Sequence, residues 1–194
     1  MSGKIHMAVF AVLVLAQWAV PLSMIRQHEA ALDKGELWQF RCEMVDPYDP
    51  FRGRYVRITV NAGDATTDAE DFTSRQGGYV TLKQDEDGYA QFDRFTLSPP
   101  ETGAYLQVEY AWRMNEQGEV QVTFPLDRYY MNEHAAPEAE RVYRDAMRSE
   151  GREARLDVRV LDGLAVIEGL YIDGTPVEAY VRGERQPTTA VTPG

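Results

Sequence analysis

The chain has 194 residues, room for one domain of ordinary size with little left for a second. Its 44% apolar and 11% aromatic content is enough for a real core, which excludes wholesale disorder. Against 31 Asp and Glu stand 20 Lys and Arg, and the formal charge of −11 argues against a general affinity for nucleic acid or anionic lipid. A lone cysteine excludes an internal disulfide and any metal site built of several thiolates.

Residues 1–6 read as a short cytoplasmic tail and residues 7–25 as a transmembrane helix. From Met7 to Ile25 no side chain is charged, and Gln17 and Ser23 are the clearly polar ones. These 19 residues, at about 1.5 Å each, reach roughly the thickness of a hydrocarbon core. Nine of them are Val, Leu, Ile or Phe, worth about −3 to −5 kcal/mol on the insertion scale, and Pro21 is tolerable near the outer end. Lys4 precedes the run and Arg26 follows it, so the span is better defined than its direction. The orientation adopted places the N-terminus inside and one domain outside the cytoplasm. The competing reading is a cleaved signal peptide recognised at Val14-Leu15-Ala16, which shortens the apolar run and leaves Trp18 and Pro21 to follow. Lys4 is the only charged side chain before Arg26, so residues 26–194 hold 19 basic and 31 acidic groups, net −12. Such a domain is repelled by anionic headgroups, and its link to the lipid bilayer runs through residues 7–25.

Residues 26–35 are expected to form a helical stalk ending at Gly35, followed by a β-rich domain over 36–182. Trp38, Phe40, Cys42 and Met44 alternate with polar residues, as do Leu106, Val108, Tyr110, Trp112 and Met114. Val120, Val122 and Phe124, and then Leu156, Val158 and Val160, repeat the period of two that marks half-buried strands. The aromatic residues at 105, 110, 112, 129, 130 and 143 are assigned mostly to the core. Asp87-Gly88, Asp162-Gly163 and Asp173-Gly174 are tight-hairpin pairs. They predict hairpins 78–84/88–97, 104–114/119–125 and 154–161/164–171, then a return strand 176–181. Residues 61–76 read as an acidic loop and 183–194 as a disordered tail. Pro137–Glu150 breaks the pattern: Ala139, Val142, Tyr143, Ala146 and Met147 recur at helical spacing, with Gly151 just beyond. The predicted fold is mainly β (α+β), an antiparallel meander or barrel-like domain with one inserted amphipathic helix behind an N-terminal transmembrane helix.

The densest unusual segment runs from Asp46 to Arg57. Two Asp-Pro steps fix the backbone around Asp46 and Asp49, and Gly53 admits a bend before a strand Tyr55–Val60. One reading makes Asp46, Asp49, Arg52, Gly53, Arg54, Tyr55 and Arg57 a recognition surface for a polar or anionic partner. The plainer one, favoured on spacing alone, is a rigid strand-leading loop held by local Asp–Arg pairs. Phe51-Arg52-Gly53-Arg54-Tyr55-Val56-Arg57-Ile58-Thr59-Val60 resembles the motif of the GDYXXLXY-domain family, with Gly53 and Tyr55 matching and Ile58 in place of Leu. Arg54 replaces the motif's Asp, and Val60 its final Tyr. The similarity continues through Gly78–Leu82, Asp85–Tyr89, Phe124–Tyr130 and Leu161–Gly174. The resemblance implies a bacterial single-pass inner-membrane protein of unknown activity, associated with a polytopic membrane-protein partner.

A second candidate is Asp127, Arg128, Tyr129, Glu133 and His134, between the last long strand and the helix. Glu133 with His134 has the residue types for acid–base work, and an exported hydrolase using them with Asp127 is the alternative function. The plainer reading is a strand-to-helix connection with local caps. His134 and Cys42 make no recognisable zinc set, none of the five serines sits in a nucleophile elbow, and Asp85–Gly88 is too short for a calcium loop. Cys42 shares a face with Trp38 and Phe40 and reads as a core thiol. No cofactor or metal is expected. The favoured function is a non-catalytic, membrane-anchored domain that binds a protein partner in or beside the membrane.

Overall fold

The computed structural model describes residues 2–43, 55–69, 72, 75–113, 118–130, 138–139, 141–143, 145 and 152–182. The chain opens with one helix, α1 (Ser2–Lys34), about 50 Å long with Pro21 inside it. It is long and apolar enough to cross a membrane. Gly35 then ends it, its N–H donating to the Ala31 carbonyl at 2.9 Å.

Beyond Gly35 the described chain is mostly strand. The strands are β1 (Glu36–Glu43), β2 (Tyr55–Arg57), β3 (Thr59–Asn61), β4 (Ala65–Thr66), β5 (Gln76–Gln84), β6 (Ala90–Thr96), β7 (Tyr105–Arg113) and β8 (Glu119–Val122). After them come β9 (Arg128–Tyr130), β10 (Ala154–Leu161), β11 (Leu164–Ile172), β12 (Thr175–Pro176) and a short helix α2 (Val177–Val181). One antiparallel sheet has the order β12-β11-β10-β1-β3, and β4-β6-β5-β7-β8 close into a five-stranded barrel. The predicted hairpins are the backbone of both: β10 pairs with β11, β5 with β6, and β7 with β8.

A single apolar core joins sheet to barrel. Phe40, Leu156, Val158, Leu170 and Ile172 enter it from the sheet, and Val80, Phe92, Phe95, Leu106 and Val120 from the barrel. Phe124 bridges the two, its ring centroid 4.8 Å from that of Phe40 and 6.3 Å from that of Phe92. Each such side chain contributes about 1.5–3 kcal/mol by leaving water, which makes this contact the principal stabiliser of the architecture.

The last turn of α1 belongs to this body. It packs on β10 and β11, with Ala31 fully buried. A Cβ on Gly35 would lie 2.3 Å from the Ala31 carbonyl oxygen and 3.2 Å from both Arg159 Cβ and Val160 N, so the close approach requires glycine. The expected stalk is therefore helical to Lys34, and its end is seated on the sheet.

Several expectations are corrected. The return strand 176–181 is instead the two-residue β12 and helix α2, anchored by the fully buried Val177. The strand expected over Tyr55–Val60 divides at Ile58: β2 pairs with β9, whereas β3 pairs with β1. The acidic loop contains β4, which closes the barrel against β6 and β8, and it buries Thr67 and Phe72. Tyr110 and Tyr130, expected inside, are exposed. For Tyr110 the cause is a register shift between Gln76 and Gly78, which places Ala111 rather than Tyr110 inward. Asp162 and Asp173 have positive φ, as a tight Asp-Gly turn requires. Asp87 does not; there Asp85 Oδ1 accepts the Asp87 and Tyr89 N–H groups around a longer turn. Of the predicted helix 137–150, residues 138–139, 141–143 and 145 are described and helical, with Ala139 and Tyr143 buried as expected. Met44, Met114, Ala146, Met147 and the tail 183–194 lie outside the described residues.

Candidate functional site

The fold brings the two candidate segments together. β2, the strand of the Gly53–Val60 motif, pairs antiparallel with β9 in the register Tyr55↔Tyr130, Val56↔Tyr129 and Arg57↔Arg128. Ile58 N–H then donates to the Asp127 carbonyl at 2.9 Å, and the buried Ile58 side chain fixes this ribbon to the core. Nothing in the sequence pattern indicates this pairing, because the partners are separated by more than seventy residues and each strand has three. Asp46, Asp49, Arg52, Gly53 and Arg54 lie outside the described residues, as do Glu133 and His134; Tyr55 and Arg57 are described as backbone.

Along the ribbon the described side chains are tied to one another or to the domain. Asp127 and Arg128 are both exposed and approach to 3.5 Å, a pair worth little in water. Tyr129 is half-buried, and its hydroxyl donates to the Glu178 carboxylate, joining β9 to α2. Burial, and then that hydrogen bond, raise the Tyr129 phenol well above its ordinary range, so it stays a neutral donor. Tyr130, on the other face, stands in solvent.

Cys42 is buried in the core as expected, and burial pushes its thiol up to about 12. Its neighbour Tyr143 donates to the Glu43 carbonyl at 3.2 Å. A buried thiol that keeps its proton is a poor nucleophile at neutral pH. Among the described residues no group of three or more His, Cys, Asp or Glu side chains is disposed to hold a metal ion.

Two features escape the sequence pattern. The first is a polar strap on the sheet's outer face. Arg41 reaches Asp87 at 3.0 Å and Glu153 at 3.4 Å, and its guanidinium lies 4.4 Å from the centre of the Tyr89 ring. It ties the β5–β6 turn to the sheet; the Asp87 hydrogen bond leads the effects that hold its pKa above the ordinary value. The second is a cleft of about 1250 Å³ between the last turns of α1, strands β5 and β7, and the β10–β11 turn. Its floor is pinned where Gln107 N–H donates to the Gly163 carbonyl at 2.9 Å. A Cβ on Gly163, whose φ is +84°, would lie 2.8 Å from the Tyr105 ring, so the approach and the turn both need glycine. A smaller recess of about 450 Å³ opens beside Asp127 and β3. Its lining spans residues 43, 58–64, 92, 121–124 and 126–127.

The GDYXXLXY protein family matches residues 17–170, most of the chain, and the chain belongs to that family. The match runs from inside the apolar helix to the end of the predicted domain's main hairpin, as the resemblance of the Gly53–Val60 segment implies. No curated protein and no solved structure gives a significant match.

Proposed function

We propose that this member of the GDYXXLXY family is a single-pass anchor for an extracytoplasmic interaction domain, held in the bacterial inner membrane with its N-terminus inside. In this reading it is a non-catalytic subunit of a complex with a polytopic membrane protein. The supporting observation is the continuity of α1: the apolar helix passes without a linker into the turn that Ala31 and Gly35 seat on the sheet. A domain fixed this way keeps one face toward the bilayer and is built to meet something anchored in the same plane. The net charge of −12 over residues 26–194 adds that the domain avoids the lipid surface beside its anchor.

The ribbon of β2 and β9, where Arg128 and Tyr130 are exposed, offers a second contact area, continuous in sequence with Asp46, Asp49, Arg52 and Arg54. The test is copurification of the full chain from native membranes in mild detergent, alongside a variant with Arg52, Arg54 and Arg57 changed to Ala. Recovery of one polytopic protein in fixed ratio, reduced by the triple variant, is the expected result. A chain that fractionates with soluble proteins, or leaves the membrane without any companion, overturns the function. Equal recovery by both forms removes the arginines from it.

A further inference from the structure

The turn of α1 beyond the apolar stretch also builds a wall of the large cleft. Gln27 and His28 line it and follow Ile25 by two and three residues, less than about 5 Å of helix rise. With residues 7–25 in a bilayer, the mouth of the cleft stands at the boundary between hydrocarbon and water. Its described lining includes the acidic residues Glu109 and Asp162 and contains no Lys or Arg. Tyr110 and Leu164 supply aromatic and apolar surface beside them, the mixture favoured at that boundary. Below lies Gln17, exposed within the apolar run and eleven residues before His28. Eleven residues are close to three helical turns, so Gln17 and His28 fall near one face of α1. An amide in hydrocarbon is stabilised chiefly by a hydrogen bond to a neighbouring helix.

We propose that this composite face receives a transmembrane helix of another protein, with a Lys or Arg in its juxtamembrane turn meeting Glu109 and Asp162 and its membrane portion passing Gln17. The inference rests on the function proposed above and names where that partner docks. Charge selects this occupant. A second copy would bring another domain of net −12 against the first, and an anionic headgroup would face two acidic residues with no Lys or Arg among the described lining residues.

The test uses the full chain in native membranes with a photoreactive benzoylphenylalanine replacing Gln107 in the cleft, Gln17 in the span, or Lys83 as control. Lys83 is exposed near the other end of β5. Adducts from positions 107 and 17 are expected on one membrane-spanning segment of a second protein, within a few residues of its Lys or Arg, and not from position 83. The pair Glu109→Gln and Asp162→Asn, which keeps both shapes and the turn, should lower the adduct from position 107 about tenfold. Adducts on phospholipid, on a second copy or on a soluble segment overturn the proposal, as does an unchanged yield in the double variant. If the companion still copurifies while position 107 gives no more adduct than position 83, the cleft assignment falls and the interaction function stands. Loss of the companion itself removes both.

Discussion

Arg159 donates from Nη1 to the carbonyl of Gly35 at 3.2 Å while its Nε and Nη2 hold the Glu168 carboxylate at 2.8 and 3.2 Å. The guanidinium thereby sits at the C-terminal end of α1, where unpaired carbonyls and the helix dipole favour a cation. Glu168 in turn holds the Arg159 pKa above its ordinary value. A planar fork holds the carboxylate by two parallel bonds and the carbonyl by a third, a geometry that an ammonium does not match. Arg159→Lys should lower the thermal midpoint, and Arg159→Ala should lower it further. In both, amide exchange at residues 27–35 should rise more than in the barrel strands. Equal exchange across the two regions would show that this contact does not hold α1 to the sheet.

Gly35 fails differently. In Gly35→Ala the new methyl meets backbone atoms, the Ala31 carbonyl at 2.3 Å and Val160 N at 3.2 Å, so no side-chain rotation relieves it. The expected cost is about 1–3 kcal/mol, read from urea unfolding in detergent followed by Trp fluorescence. Gly3→Ala, with nothing within 4 Å of the added atom, is the control and should leave the midpoint unchanged.

Much of this fold was legible because apolar alternation and Asp-Gly pairs are local signals. The hairpins 154–161/164–171 and 78–84/88–97 announce themselves in this way, and β10–β11 and β5–β6 answer to them within a few residues. Barrel closure was not legible: it depends on Ala65 and Thr66, two residues in a polar stretch whose strand character comes from β6 and β8. The same holds for α2, where Val177 and Tyr180 read as strand, yet packing of Val177 and the Tyr129–Glu178 bond select a helical turn. The candidate segments stand out by residue order, in the two Asp-Pro steps before Gly53 and in Glu133 beside His134, but the pairing of β2 with β9 is a tertiary fact. The large cleft draws single residues from α1, two barrel strands and a turn, so no window of sequence contains it.

The Tyr129–Glu178 hydrogen bond should be measurable as a coupling energy. Tyr129→Phe leaves a part-buried carboxylate without its donor, and Glu178→Gln weakens the same bond from the other side. Each single change should cost about 1–2 kcal/mol, with a coupling of about 1 kcal/mol in the double-mutant cycle. Because the folded phenol is raised, its contribution is full below the ordinary tyrosine value. It is lost as pH climbs toward the folded one. Additive single changes would show that the ribbon and α2 are not joined through this bond.

Cys42 makes a prediction about reactivity and pH together. Its thiol should resist a soluble maleimide in the folded chain and react on unfolding, because burial holds it up to about 12. Below the ordinary value of 9.0 both folded and unfolded chains keep the proton, and the stabilisation is complete. Between 9.0 and about 12 the unfolded chain ionises first, so stability falls as pH rises. Urea midpoints at about pH 8 and about pH 10.5 should differ less in Cys42→Ala than in the natural chain. Rapid labelling of the folded protein would place Cys42 outside the core.

The bulge opposite Gly78 separates two neighbours that simple alternation assigns the other way. Tyr110 is 49% exposed and Ala111 is fully buried, because the β5–β7 register shifts between Gln76 and Gly78. Tyr110→Ser removes a ring that already faces solvent, and should change folding stability by less than about 1 kcal/mol. Ala111→Leu forces three extra carbons into a filled barrel and should cost about 1–3 kcal/mol, or more where the strands cannot part. The reverse ranking in urea unfolding would mean that Tyr110 points inward and that β7 runs without the bulge. Tyr110 also lines the cleft, so the same Tyr110→Ser variant separates roles: its fold should persist, and under the proposed docking it should recover less of a copurifying membrane protein.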